Sequence, residues 1–323
     1  MKHLITNKYS IIINLIISIV IISALLYYSG VEDFLAILST INLGWLLLSI
    51  IFLLGMYLLM IVRMKILLDE MKAKISWVAL AKTHFTGMLL ADLTPARSGY
   101  LGAAVIMNKN YGIPYEKAMV AILGPQAYDF MFKITIGGLA LVYLLNYAMI
   151  KDGWIMFAGV AGLAVVLAIM VALLFSSRFL KLFSFSEKWP FFGKIYEIFK
   201  GTQEHSNVII KKTPQLLILL LCTWTFKALS WFAVAKSIEM TIQWAYAEPL
   251  FYFFFQPLVT ILEFVPTPTL AGMGFSETGG VLILSLFGIG AAQATAFMLV
   301  ARFKTMLVNL IGIEEAIKLL KKN

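Results

Sequence analysis

The chain has 323 residues, of which 61% are hydrophobic and only 13% charged, with a formal net charge of +9 and a mean hydropathy of +0.90. A soluble globule carries roughly a quarter charged residues, so this composition excludes a soluble enzyme domain and identifies an integral membrane protein. The lone Cys222 excludes a disulfide framework and a thiolate metal site, and His3, His84 and His205 show no paired ligand spacing, so no metal or other cofactor is expected.

The first element follows a basic start (Lys2, Lys8) and covers 11–29. It is longer than the apolar core of a signal peptide, and Tyr27-Tyr28-Ser29-Gly30 lacks a small-x-small cleavage pattern, so a retained membrane span is predicted. A second span is expected at 43–62. The next apolar segment, Trp77 to Met107, is broken at Thr94-Pro95-Ala96-Arg97-Ser98-Gly99. Spans at 118–147 and 154–175 come next, each long enough to cross a hydrocarbon core of roughly 30 Å. The polar stretch from Ser176 to Thr213 contains 179–199, where Phe192, Ile195, Ile198 and Phe199 face away from Lys194, Glu197 and Lys200. That pattern suits a helix lying in the membrane interface, or an amphipathic connector packed on the bundle. After a span at 214–235, a second interrupted segment, Pro249 to Leu286, breaks at Pro266-Thr267-Pro268, Gly272, Gly274 and Glu277. The last span is expected at 291–311.

The basic residues fix the direction of these crossings. Lys2 and Lys8; Arg63, Lys65, Lys72 and Lys74; Lys109 and Lys117; Arg178 to Lys212; and Lys318, Lys321 and Lys322 all fall on one side, against Lys151 and Lys236 on the other. The positive-inside rule then puts both termini in the cytoplasm of a cell-membrane protein. Segment 77–107 leaves and returns to the basic side, and 249–288 leaves and returns to the opposite side. The expected fold is therefore all-α: a polytopic membrane helical bundle of six full spans plus two re-entrant helical hairpins, arranged as an inverted repeat. It forms one integral membrane domain, 1–323, with halves of about 1–150 and 151–323. Hairpins of these lengths also fit two thin crossings each, and the charge pattern accommodates both.

Hairpin tips cannot face lipid, because unpaired amides in hydrocarbon cost several kcal/mol each. The two tips, Pro95 to Gly99 and Pro266 to Gly274, are therefore expected to meet in the bundle interior and line a polar cavity. Ionisable residues at membrane depth usually face a cavity or one another, and they supply the candidate substrate-binding residues: Asp92, Arg97, Asp129, Lys133, Glu263, Glu277 and Arg302. Pro95, Ser98, Gly99, Pro266, Pro268, Gly272 and Gly274 supply the broken backbone. Asp129 and Lys133, at i,i+4, could equally neutralise one another. Lys227 and Lys304 could snorkel or pair. A helix starting after Ser98-Gly99 would offer free amides beside Arg97, suited to a phosphate or carboxylate. Glu277 is suited to pairing with Arg302, or to accepting bonds from amine or sugar hydroxyl groups. The implied ligand is amphiphilic, with its headgroup in the cavity and its tails in lipid.

The run Leu93-Thr-Pro-Ala-Arg-Ser-Gly99, followed by Asn110-Tyr-Gly-Ile-Pro114, Ala118 and Asp129, resembles the family of flippase-like membrane proteins related to the transmembrane part of lysylphosphatidylglycerol synthases. Phe264-Val-Pro-Thr-Pro268 with Gly272, Gly274, Glu277 and Ala301-Arg302 resembles the C-terminal signature of the same family, so the likeness extends from about Leu43 to Gly312. The resemblance implies a bundle that moves a phospholipid, or a polyprenyl-phosphate-linked headgroup, between leaflets. It also implies no aminoacyl-transferase activity, since the soluble domain of the larger synthases is not expected here. Tyr100, Ala103, Pro125 and Gln126 depart from the family pattern and leave the headgroup class open.

The function expected is a lipid flippase or scramblase, not an enzyme, with membrane lipids as partners, no nucleic acid, and homo-oligomerisation left open. A membrane-embedded transferase or hydrolase of lipid-linked substrates, using Glu263 or Glu277 as base, and a small-solute transporter of broken-helix type are the alternatives. No GxxxxGK[ST] loop is present to support direct ATP drive.

Overall fold

The computed structural model describes residues 8–147, 176–185, 206–243, 246–263 and 267–321, with positions 161, 162, 165, 168, 169, 172, 196, 200 and 203. Among them no strand occurs, and the protein is all-helical. Helices α1 (Lys8–Ser29), α2 (Val31–Ser39), α3 (Leu43–Glu70) and α4 (Trp77–Asp92) lead to a 3₁₀ turn at Pro95–Leu101. Helices α5 (Gly102–Tyr111) and α6 (Tyr115–Tyr147) follow, then α7 (Ser177–Lys181), α8 (Ser206–Ser237) and α9 (Glu248–Leu262). A second 3₁₀ turn at Leu270–Gly272 precedes α10 (Phe275–Leu286), α11 (Ala291–Asn309) and the terminal α12 (Ile313–Lys321).

Among the described residues, four stretches are long and apolar enough to cross a membrane: Ile12–Ser29, Leu43–Glu70, Asn207–Ser237 and Ala291–Lys318. They coincide with four of the expected spans, and the protein is a multi-pass membrane protein. The span expected at 118–147 lies within the 33-residue α6. The span expected at 154–175 falls mostly outside the described residues, as does most of 179–199. Within that last stretch, α7 ends at Lys181, after Ser176 caps it by accepting the Phe179 N–H at 3.3 Å.

The chain divides into two compact units. The first comprises Met1–Tyr57, His84–Tyr100 and Trp224–Asn323. Here α11 is the central post, packed on α10, α2 and α1, while α9 packs on α10. Small residues permit the close approach: a Cβ on Gly280 would lie 2.5 Å from Met298 Sδ. At 15 and 12 residues, α9 and α10 are about 22 and 18 Å long, too short to cross singly. Helix α2 escapes a reading based on 20-residue apolar runs. Glu32 and Asp33 in its first turn complement the helix dipole, and the Ser29 hydroxyl just before it meets Thr295 of α11 at 2.6 Å.

The second unit comprises Leu58–Thr83 and Leu101–Thr223. Its α5 packs on α6, and the link between them turns at Gly112, whose φ of 66° caps α5 through bonds to Asn108 and Met107 carbonyls. Gly124 of α6 brings the backbone against Leu67 and Ile209.

Candidate functional site

Both chain breaks belong to the first unit. At the first, Pro95 has no N–H to continue α4 and disfavours helical geometry at the residue before it, so α4 stops at Asp92. Thr94 then replaces the lost helical bonds, its hydroxyl donating to the Leu90 carbonyl at 3.0 Å and accepting the Gly99 N–H at 2.6 Å. Gly99 is required: a Cβ there would sit 2.1 Å from the Leu90 carbonyl oxygen. Arg97 occupies the left-handed region at φ 54°, and Ser98 donates to the Pro95 carbonyl at 3.0 Å. Helix α5 begins at Gly102 rather than directly after Gly99, and it has no side-chain cap.

At the second break α9 ends on Glu263. Pro266 lies outside the described residues, while Pro268 sits in the exposed bend before the 3₁₀ turn. Ala271 and Gly272 both have positive φ, 49° and 72°, and a Cβ on Gly272 would be 2.8 Å from Glu263 Cα. Gly274, at φ 87°, caps α10. The Glu277 carboxylate reaches back to accept the Gly274 N–H at 2.6 Å, the acidic half of a capping box.

The two breaks touch. The Ala271 N–H donates to the Thr94 carbonyl at 3.2 Å, and a network of ions runs through the contact. Arg97 Nη2 lies 3.3 Å from Asp92 Oδ1, and its Nη1 lies 2.9 Å from Glu263 Oε2. Arg302 Nη2 stands 3.7 Å from Glu263 Oε1, and its Nε donates to Glu277 Oε1 at 2.6 Å. Ser276 Oγ accepts from Arg302 Nη2 at 2.7 Å. At the other end, Asn309 Nδ2 donates to Asp92 Oδ2 at 2.5 Å, and Tyr57 donates to Asn309 Oδ1 at 2.7 Å.

This joins five of the seven candidate residues, three carboxylates and two guanidiniums. Asp92 and Glu277 are 2% and 1% exposed. Charges so placed persist only because each has a counter-ion and hydrogen bonds. The five carry a formal charge of −1, three negative against two positive, so the site is not a ready-made anion cradle: an anionic headgroup would have to displace a carboxylate from an arginine.

Asp129 and Lys133 belong to the second unit. Asp129 Oδ2 lies 3.0 Å from Arg63 Nη2. Arg63 corrects the sequence reading: α3 runs on to Glu70, so this residue is not in a basic connection but inside the helix, 1% exposed. Lys304, in α11 of the first unit, is buried and donates to Ser230 Oγ at 2.6 Å.

The polar breaks between apolar helices, in this order along the chain, match the protein-family model described as the lysylphosphatidylglycerol synthase TM region, over residues 11–312. The chain belongs to that family. No protein of curated function matches it. Membership makes this a membrane lipid-related protein, and the matched stretch takes in both breaks and all five networked ions.

Tyr57, Asn309, Ser276 and Thr94 were not singled out from sequence. Asn309 carried a signal: it stands seven residues after Arg302 and so shares its helical face. Thr94, next to a proline at a helix end, had the chemistry of a turn residue. Tyr57 lies within the apolar run 43–62 and carries no such signal.

Proposed function

We propose that the protein is a lipid flippase or scramblase that carries a phospholipid or lipid-linked headgroup between leaflets past the Asp92–Arg97–Glu263–Arg302–Glu277 network. The single observation that carries this reading is the junction of the two breaks, made by the Ala271-to-Thr94 backbone bond and the Arg97–Glu263 pair. Broken helices meeting at an ion-bearing point are how transporters present polar groups at membrane depth. Arg97, shared between Asp92 and Glu263, and Arg302, shared between Glu263 and Glu277, are groups that can exchange one carboxylate for a headgroup phosphate. Glu263 is the natural group to be displaced, since it is common to both arginines and Glu277 is already committed to capping α10.

The full architecture in this reading is six spans with two re-entrant hairpins in inverted repeat and both termini in the cytoplasm of the cell membrane. The short α9 and α10 support the second hairpin. Transport needs no nucleophile and no catalytic base, so the reading is of a transporter rather than an enzyme, with lipids as partners.

Reconstitution into liposomes containing fluorescent phosphatidylglycerol, or a polyprenyl phosphate, tests this. Leaflet exchange should exceed that of empty vesicles and fall in an Arg97→Ala protein that retains its fold. Exchange no faster than in empty vesicles across a broad lipid panel overturns it.

A further inference from the structure

Helix α9 carries a second polar feature, away from the arginines. Glu248, Tyr252, Gln256 and Thr260 recur every fourth residue and so share one face, and Glu263 ends it. The line is about 22 Å long at 1.5 Å per residue. Its two ends are ionic: Glu248 Oε2 pairs with Lys236 at 2.6 Å, and Glu263 pairs with Arg97 and Arg302. Between them the face is buried, and Tyr252 and Gln256 have no exposed surface. Thr260 satisfies itself on the Gln256 carbonyl at 2.9 Å. Glu248 Oε1, the Tyr252 hydroxyl and both amide atoms of Gln256 are buried with no hydrogen-bond partner among the described residues.

Consecutive orphans on one helical face are not scattered packing defects. Polar groups buried in a membrane bundle must be satisfied internally, and these have the wrong neighbours for it. Tyr252 is ringed by Phe232, Phe251 and Phe297. Pro257 removes one more helical N–H beside Gln256. The groups on offer are a carboxylate oxygen that accepts, a phenol that does both, and an amide that donates and accepts. Lys236, the cation at this face, is already engaged by Glu248. A neutral hydroxyl, one donor with two acceptor lone pairs, complements that set. An anion would meet only cations already paired with Glu248 or Glu263, and a cation only a carboxylate already neutralised.

We infer that the Glu248–Tyr252–Gln256 face of α9 is a binding track for neutral hydroxyl groups, supplied by water or by the glycerol or sugar hydroxyls of a lipid headgroup. Hydroxyls lodged there complete the bonds of Tyr252 and Gln256. The track would lead from the Lys236–Glu248 pair toward the ionic network, and its existence does not depend on the transport reading.

The experiment uses the full chain with Cys222→Ser, which removes the sole cysteine, and adds Gln256→Cys, Tyr252→Cys or, as the dry control on the same helix, Val259→Cys. A charged methanethiosulfonate reagent should label positions 256 and 252 at least about tenfold faster than 259, because only a hydrated thiol ionises and reacts. Equal, slow labelling at all three overturns the inference. Glucosyl diglyceride or phosphatidylglycerol that protects position 256 identifies headgroup hydroxyls as the occupant, whereas unaltered labelling identifies water. Where a cysteine variant does not fold, Gln256→Leu decides. Melting at a lower temperature than the parent supports a ligated amide, and melting at a higher temperature shows a dry orphan and overturns the inference.

Discussion

Arg302 Nε donates to Glu277 Oε1 across 2.6 Å, while Oε2 of the same carboxylate accepts the Gly274 N–H, also at 2.6 Å. Glu277 is thus at once the counter-ion of a buried guanidinium and the cap of α10. Removing its charge should therefore cost both stability and geometry. Glu277→Gln is expected to destabilise by about 3–5 kcal/mol, the range for breaking a buried pair from one side. The paired change Glu277→Met with Arg302→Met should cost less than the sum of its singles by about 0.5–3 kcal/mol. Thermal unfolding in detergent reads both, and simple additivity would show that the two side chains do not depend on each other.

Arg97 uses two different nitrogens on two carboxylates, Asp92 and Glu263. Lysine carries the charge on one nitrogen and cannot span that gap as a planar fork. Arg97→Lys should then slow leaflet exchange by about tenfold, equivalent to roughly 1.4 kcal/mol of barrier, with little change in melting temperature. Wild-type exchange in the lysine variant would mean that charge alone suffices and that the bridging geometry has no part in transport.

Two glycines separate steric need from conformational need. Alanine at position 99 would place a methyl 2.1 Å from the Leu90 carbonyl oxygen, whereas alanine at 112 would meet nothing within 4 Å but must adopt φ 66°. Gly99→Ala is expected to lose at least about 2 kcal/mol through forced movement of the first break, and Gly112→Ala about 1 kcal/mol from backbone strain alone. Leaflet exchange should be impaired in the former and retained in the latter. The opposite order of stability would overturn the account of the break at Thr94.

Arg63 and Asp129 form the buried pair of the second unit. Asp129→Asn leaves the guanidinium without its carboxylate and should cost about 3–5 kcal/mol, while Arg63→Met combined with Asp129→Leu should recover most of that loss. If Asp129→Asn melts with the wild type, the pair is not what anchors α3 to α6.

Much of the fold was legible because membrane composition forces it. A run of 20 apolar residues has few alternatives to a helix, and Pro95, Gly99, Gly272 and Gly274 marked the breaks because they are residues that helices reject or use only at ends. The contact between the two breaks followed from the same physics, since exposed backbone has nowhere else to go. Hydrophobicity was blind to polar residues that lie inside apolar helices. Arg63 read as a loop cation because apolar counting stopped the second span at residue 62, and Tyr57 and Asn309 were diluted by their neighbours. Helix α2, at nine residues, is too short for a window tuned to full crossings and is held by packing on α11.

The Ser18 hydroxyl accepts the backbone N–H of Leu270, 252 positions later, and Ile21 lies against Gly274. Helix α1 therefore secures a break that is synthesised 252 positions after it. At about 5–20 residues per second, α1 must wait on the order of ten to fifty seconds before its partner exists. Throughout that interval Ser18 and Asn14 lie within an otherwise oily segment whose partner has not been made, so neighbouring helices or the insertion machinery must stand in for Leu270 until it emerges.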